Sequence, residues 1–215
     1  MTGRFITFEG PDGAGKTSVL TALVPRLKAL ARVPLIETRE PGGNPISEAI
    51  RRIILDPKNT AMDPRTEALL YTAARRQHII EKIRPALAAN KLVLCDRFVD
   101  SSLAYQGAGR EIGVAEVGQM NLFATEALEP DLTLYLDVPS EVGLARISAH
   151  RQDQNDRLDQ EALSFHQKVR GEYLQLAKDN PQRIKVIDAT QAIEQVIVAC
   201  QTLVTASFPE MFRGS

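Results

Sequence analysis

The run Gly10-Pro11-Asp12-Gly13-Ala14-Gly15-Lys16-Thr17 leaves four residues between Gly10 and Gly15 and closes on Lys-Thr. That spacing is G-x-x-x-x-G-K-[ST], a loop able to wrap a chain of phosphates. Its chemistry follows from the residue types. Glycines allow backbone angles that turn N–H groups inward, where they meet an anion. Lys16 would reach the outer phosphates, and the Thr17 hydroxyl suits a Mg²⁺ bridging them. A glycine-rich turn could match by chance, so the flanking elements decide the matter.

Before the loop stands Arg4-Phe5-Ile6-Thr7-Phe8-Glu9, rich in β-branched and aromatic residues. After it, Val19, Leu20, Leu23, Val24, Leu27 and Leu30 recur at helical spacing. The context is strand, loop, helix, as a phosphate-binding loop requires. Further strands are expected at 33–38, 91–96, 131–137 and 184–188. Helices are expected where Ile46, Ala49, Ile50, Ile53 and Ile54 recur before Asp56-Pro57, from Pro64 to Asn90 with a disturbance before Pro85, at 101–106, 114–126 and 139–148, from after a polar segment at 149–159 to about Asp179, and over the last apolar face from Ile193 to Val204. The alternation predicts a five-stranded parallel sheet flanked by helices, an α/β fold.

Ligands of such sheets sit beyond the carboxyl ends of the strands. Glu9, Arg39-Glu40, Asp96-Arg97, Asp137 and Asp188 all stand at those ends. Asp96 is placed to orient Mg²⁺, while Arg97 and Arg39 offer planar forks for phosphate. An Asp capping the next helix beside a surface arginine, or an ordinary Pro-Gly turn after Arg39, would look the same. Tyr71 and Arg75 share a helix face and could hold a base, though a surface Tyr–Arg pair would also look so. Ser102, Tyr105 and Gln106 add polar groups near Arg97. The segment at about 149–159 is charged and without apolar period. It reads as a solvated loop or as a mobile lid whose Arg151 and Arg157, with Arg146 at the edge, would neutralise a moving phosphoryl group.

Bulk properties narrow the class. The 215 residues suit one domain, and a net charge of −1 gives no sign of a nucleic-acid or membrane-surface binder. No signal-like or membrane-spanning run is found in the sequence, and the default setting is cytoplasmic. Cys95 and Cys200 lie in apolar patterns and read as core residues. The three histidines show no partner pattern.

Taken together, Phe8 to Thr17, Thr38-Arg39-Glu40-Pro41-Gly42-Gly43, Asp96-Arg97-Phe98, Ser101 to Gly107 and Asp188-Ala189-Thr190 strongly resemble thymidylate kinases of the bacterial form. These belong to the P-loop NTPase fold and are nucleoside monophosphate kinase-like. The resemblance covers nearly the whole chain. It implies phosphorylation of dTMP to dTDP by ATP with Mg²⁺, in a homodimer whose contact could use apolar residues of the second and third helices. It implies catalytic roles for Lys16, Arg97, Arg151 and Arg157. ATP would meet Gly10 to Ser18, with Arg146 stacked near the adenine beside Asp188, Ala189, Thr190 and Gln191. dTMP would meet Asp12, Arg39, Glu40, Tyr71, Arg75, Arg97, Ser102, Tyr105 and Gln106, and the metal Thr17 and Asp96. Tyr71 stands where relatives usually carry Phe, and Ser102 where some carry Asn.

Two rival readings stay in view. A kinase of another nucleoside monophosphate would share the architecture and differ in the base pocket. A GTPase-like switch would want Asn-Lys-x-Asp, but Asn90-Lys91 is followed by Leu92-Val93 at the start of a strand.

Overall fold

The computed structural model describes residues 3–150, 158 and 161–213. Five strands, β1 (Arg4–Glu9), β2 (Leu35–Arg39), β3 (Leu92–Asp96), β4 (Leu132–Asp137) and β5 (Ile184–Asp188), form one sheet in the order β2-β3-β1-β4-β5. Every pairing is parallel. The register lines up Phe8, Asp96 and Arg39, so the polar tails of the three neighbouring strands leave the sheet side by side.

Alternation along the strands divides the core. Ile6, Phe8, Leu92, Leu94, Leu132, Leu134 and Leu136 face α1 (Lys16–Leu30) and α9 (Ile193–Ser207) in one apolar cluster. Phe5, Val93 and Cys95 point the other way, onto Ile79, Ile83 and Ala86. On that second side Tyr135 stacks on Tyr173 of α8 (Leu163–Asp179), ring centroids 4.9 Å apart. Each fully buried Leu or Ile contributes roughly 1.5–3 kcal/mol, so the strand ends are set in a stiff frame.

Local signals set the helix boundaries. Asn44 caps α2 (Pro45–Leu55) by accepting from the Ser47 N–H at 2.8 Å, and Pro45 takes the first turn, where a missing N–H costs nothing. Asp63 caps α3 (Pro64–His78) in the same way through the Arg65 and Thr66 amides. The long helix expected to Asn90 continues through a π-turn, Ile79–Ile83, into α4 (Arg84–Ala88). Pro85 lacks an N–H and its ring crowds the preceding turn, so the ladder widens just before it.

Some expected bounds shift. The helix expected at 101–106 starts earlier as α5 (Val99–Ser102) and runs on as a π-turn over Leu103–Gly109. The remaining helices, α6 (Val114–Thr125) and α7 (Ser140–His150), follow the expected pattern. Among the described residues no helix is long and apolar enough to cross a membrane.

Candidate active site

The loop between β1 and α1 takes the form its glycines allow. Gly10, Gly13 and Gly15 have φ of 144°, 76° and 84°. A Cβ on Gly13 would stand 2.1 Å from the Gly143 carbonyl oxygen, so the loop can lie against α7 only with glycine there. Gly15 opens α1 in the left-handed region, and no side-chain hydrogen bond caps that end. The first-turn amides are thus left for an anion.

Lys16 is buried, and its Nζ donates to the carbonyls of Gly10 (2.9 Å) and Pro11 (3.0 Å). Burial, with Arg97 nearby, pulls its ammonium down to about 8 despite Asp12, Asp96 and Glu9. The ammonium is thus held against the loop by two main-chain carbonyls and loses its proton more readily than an ordinary lysine.

Arg97 leaves β3 with φ 68°, which turns its side chain back over the loop. Its Nη1 donates to the Gly10 carbonyl (3.0 Å) and to the Tyr173 hydroxyl (3.2 Å). Its Nη2 donates to Asp12 Oδ1 (2.6 Å) and the Tyr105 hydroxyl (3.1 Å). The guanidinium lies 4.8 Å from the centre of the Tyr105 ring. Tyr105 completes the triangle by donating to Asp12 Oδ2 at 2.6 Å. Burial alone would raise the Asp12 carboxyl, but Arg97, Lys16 and the Tyr105 hydroxyl bring it down to about 2. Beneath them Glu9 accepts from the Phe98 N–H (2.7 Å) and the Tyr173 hydroxyl (2.8 Å). Burial and Asp100 push Glu9 up to about 7 against the pull of Arg97.

A cleft of about 550 Å³ joins these groups. Asp12 to Ser18, Arg39, Glu40, Tyr71, Asp96, Arg97, Tyr105, Gln106, Arg146, Ala189 and Gln191, all expected from sequence, line it. Arg146 crosses its edge, donating to the Ala189 carbonyl at 3.0 Å. Asp96 Oδ1 is a buried oxygen without a hydrogen-bond partner among the described residues, and Thr17 lines the same cleft. An orphaned carboxylate oxygen in a cleft that also carries the Thr17 hydroxyl fits a hard divalent cation, which prefers oxygen ligands.

Other expected residues stand elsewhere. Asp188 and Thr190 shape the turn after β5, where the Asp188 carboxylate accepts from the Thr190 amide (2.9 Å) and hydroxyl (2.6 Å), and they do not line the cleft. Asp137 at the end of β4 is held by Arg170 through two 2.8 Å bonds, a structural ion pair. Gly10 and Pro11 offer carbonyls to Lys16 rather than lining the cavity.

Arg75 and Ser102 lie behind the cleft wall. Arg75 is 1% exposed and donates to Glu40 Oε2 (2.7 Å), Ser102 Oγ (3.0 Å), the Phe98 carbonyl (2.8 Å) and Asn121 Oδ1. It is a buried hub rather than half of a surface pair. His78, for which the sequence shows no partner pattern, is a buried residue whose ring bridges Glu40 Oε1 (2.9 Å) and Thr38 Oγ1 (2.7 Å). Arg151 and Arg157 lie outside the described residues.

The sequence reading missed Arg51 and Leu55, which α2 brings to the cleft. Arg51 donates to the Pro41 carbonyl at 2.9 Å. Their spacing of four places them on one helix face, but only packing shows which way that face looks.

The family model described as "Thymidylate kinase" matches residues 8–199. The chain belongs to the thymidylate kinase family. It is 68% identical over 213 residues to the thymidylate kinase of Latilactobacillus sakei subsp. sakei (strain 23K), covering 99% of this chain and 100% of that protein. The corresponding protein of Lacticaseibacillus casei (strain BL23) is 64% identical and that of Enterococcus faecalis (strain ATCC 700802 / V583) 61%, with the same coverage. Membership in the thymidylate kinase family makes the chain a phosphotransferase, in keeping with a phosphate-binding loop opposite two arginine-bearing strand ends.

Proposed function

We propose that this protein phosphorylates dTMP to dTDP with ATP, as a single kinase domain whose segment at about 149–159 serves as a lid. The observation that carries the reading is one cleft with two unlike ends. The glycine loop, Lys16 and the open end of α1 suit the phosphates of ATP, with Ala189, Gln191 and Arg146 at the adenine side. Across the cleft, Arg97 and Arg39 suit the phosphate of a nucleoside monophosphate, while Asp12 and Tyr105 suit its sugar. Tyr71 and Gln106 suit the pyrimidine, supported from behind by Arg75, Glu40 and Ser102.

Thr17 and Asp96 would hold Mg²⁺, which would supply positive charge to the phosphates. Lys16 and Arg97 bring positive charge to the reacting end, and Arg151 and Arg157 of the lid are candidates to complete it. No side chain has to break a bond in this chemistry, so positioning and charge carry the rate.

A homodimer fits the surface. Ile46 and Ile53 of α2, Leu69 of α3, and Leu122 and Phe123 of α6 are exposed, Phe123 at 87%. These helices pack beside one another, α3 between the other two, and so large an apolar exposure marks a contact surface. The two buried free thiols suit a reducing cytoplasm.

The test is a panel of nucleoside monophosphates with Mg-ATP, following product diphosphate. dTMP should turn over best. Equal turnover of dCMP and dTMP would overturn the base assignment.

A further inference from the structure

The wall that carries Gln106 is backed by a carboxylate that the reading so far leaves without a role. Glu67, in the first turn of α3, is fully buried. It accepts from Gln106 Nε2 at 2.8 Å. Arg110 holds the same carboxylate, with Nε 3.3 Å from Oε1 and Nη2 3.2 Å from Oε2. Arg110 is fixed in turn by Glu161, 2.5 Å from its Nη1, and lies 5.0 Å over the Phe165 ring. The guanidinium that grips Glu67 is therefore itself anchored at the start of α8.

A side-chain amide has a donor corner and an acceptor corner, and by shape alone it can sit either way round. A carboxylate gripped by a guanidinium offers only acceptors. The corner of Gln106 that faces Glu67 must then be its NH₂, and the opposite corner is the oxygen. Gln106 lines the cleft, and with its NH₂ turned to Glu67 the corner directed away from that carboxylate, and on offer to a base, is the acceptor Oε1.

We propose that Glu67 is a positioning residue that holds Gln106 as an acceptor, and that this orientation selects a pyrimidine with a protonated N3, thymine or uracil, over cytosine. The inference rests on the base-pocket reading above. Thymine carries a hydrogen on N3, which Oε1 can accept. Cytosine carries a lone pair there, so Oε1 would face it unpaired in a desolvated site. Turning the amide round would reverse the match. Base choice is thus decided one residue behind the side chain that touches the base.

Glu67→Gln tests this, because it gives position 67 a donor as well as an acceptor and frees the Gln106 amide to turn. The ratio of kcat/KM for dTMP to that for dCMP should fall at least tenfold, on the order of the discrimination one oriented hydrogen bond supplies. Part of that fall should come from a gain in dCMP turnover. A merely structural role would lower both substrates together. The exchanged pair Glu67→Gln with Gln106→Glu again offers only acceptors to the base and should restore the dTMP preference. Thermal unfolding of each variant reports folding. If Glu67→Gln does not fold, the exchanged pair alone decides, and loss of its dTMP preference overturns the proposal. A folded Glu67→Gln with an unchanged ratio overturns it too. A wild-type protein that ignores dTMP would instead sink the base-pocket reading itself.

Discussion

The two ends of the cleft are built on different principles. At the end we assign to the donor phosphates the groups on offer are backbone amides and one lysine, all from the loop and the first turn of α1, and Lys16 rests on two main-chain carbonyls. At the acceptor end the groups are side chains from separate elements, already bound to one another. Arg97 follows β3, Asp12 comes from the loop and Tyr105 from the π-turn, and the three form a closed triangle. A local loop makes a general anion site, because backbone N–H groups read only charge and shape. A tertiary network can read a base, because it fixes which atoms face the ligand.

Breaking the donor end should have the largest effect. Lys16→Ala removes the only side-chain cation within the loop. We expect kcat to fall by about 10³-fold or more, the scale of losing a preorganised charge at a transition state. Circular dichroism should show an intact fold, since among the described residues the Lys16 side chain bonds only to the loop itself. Single-turnover kinetics checks the loss.

Opening the acceptor triangle should cost less and fall elsewhere. Tyr105→Phe deletes the hydroxyl shared by Asp12 and Arg97 while keeping the ring under the guanidinium. Hydrogen bonds to charged groups contribute about 1.5–3 kcal/mol, so binding should weaken about 10- to 100-fold. The effect should appear in KM for dTMP with KM for ATP nearly unchanged. An equal rise in both constants would mean that the two ends are one network after all.

The smallest expected effect is a pH limb. Lys16 is cationic below about 8 and neutral above it. The useful state is the charged one, so kcat/KM for ATP should be flat below about 8. It should fall toward tenfold per pH unit above that value. Bound phosphates should raise the same group, so ATP binding at pH 8 should take up protons, measurable by calorimetry in buffers of different ionisation enthalpy. Lys16→Arg should abolish the limb, because a guanidinium does not titrate there.

What could be read from the chain alone follows the same division. The loop, the five strands and the caps at Asn44 and Asp63 depend on neighbours in sequence, and their residue types announce them. The strand-end residues Asp96, Arg97 and Arg39 could be gathered at one edge because a parallel sheet allows little else. What tertiary structure decided is which polar groups remain free once they meet. Asp188 and Asp137 stand at strand ends as expected, yet one closes its own turn and the other is taken by Arg170. Tyr71 and Arg75 lie four apart on one helix, but the ring lines the cleft while the guanidinium is buried on four partners. Glu67 carried no signal at all. Its meaning depends on Gln106 and Arg110 lying 39 and 43 residues further along. Helical periodicity reports which face of a helix is wet, whereas the choice of hydrogen-bond partner is settled by packing between elements distant in sequence.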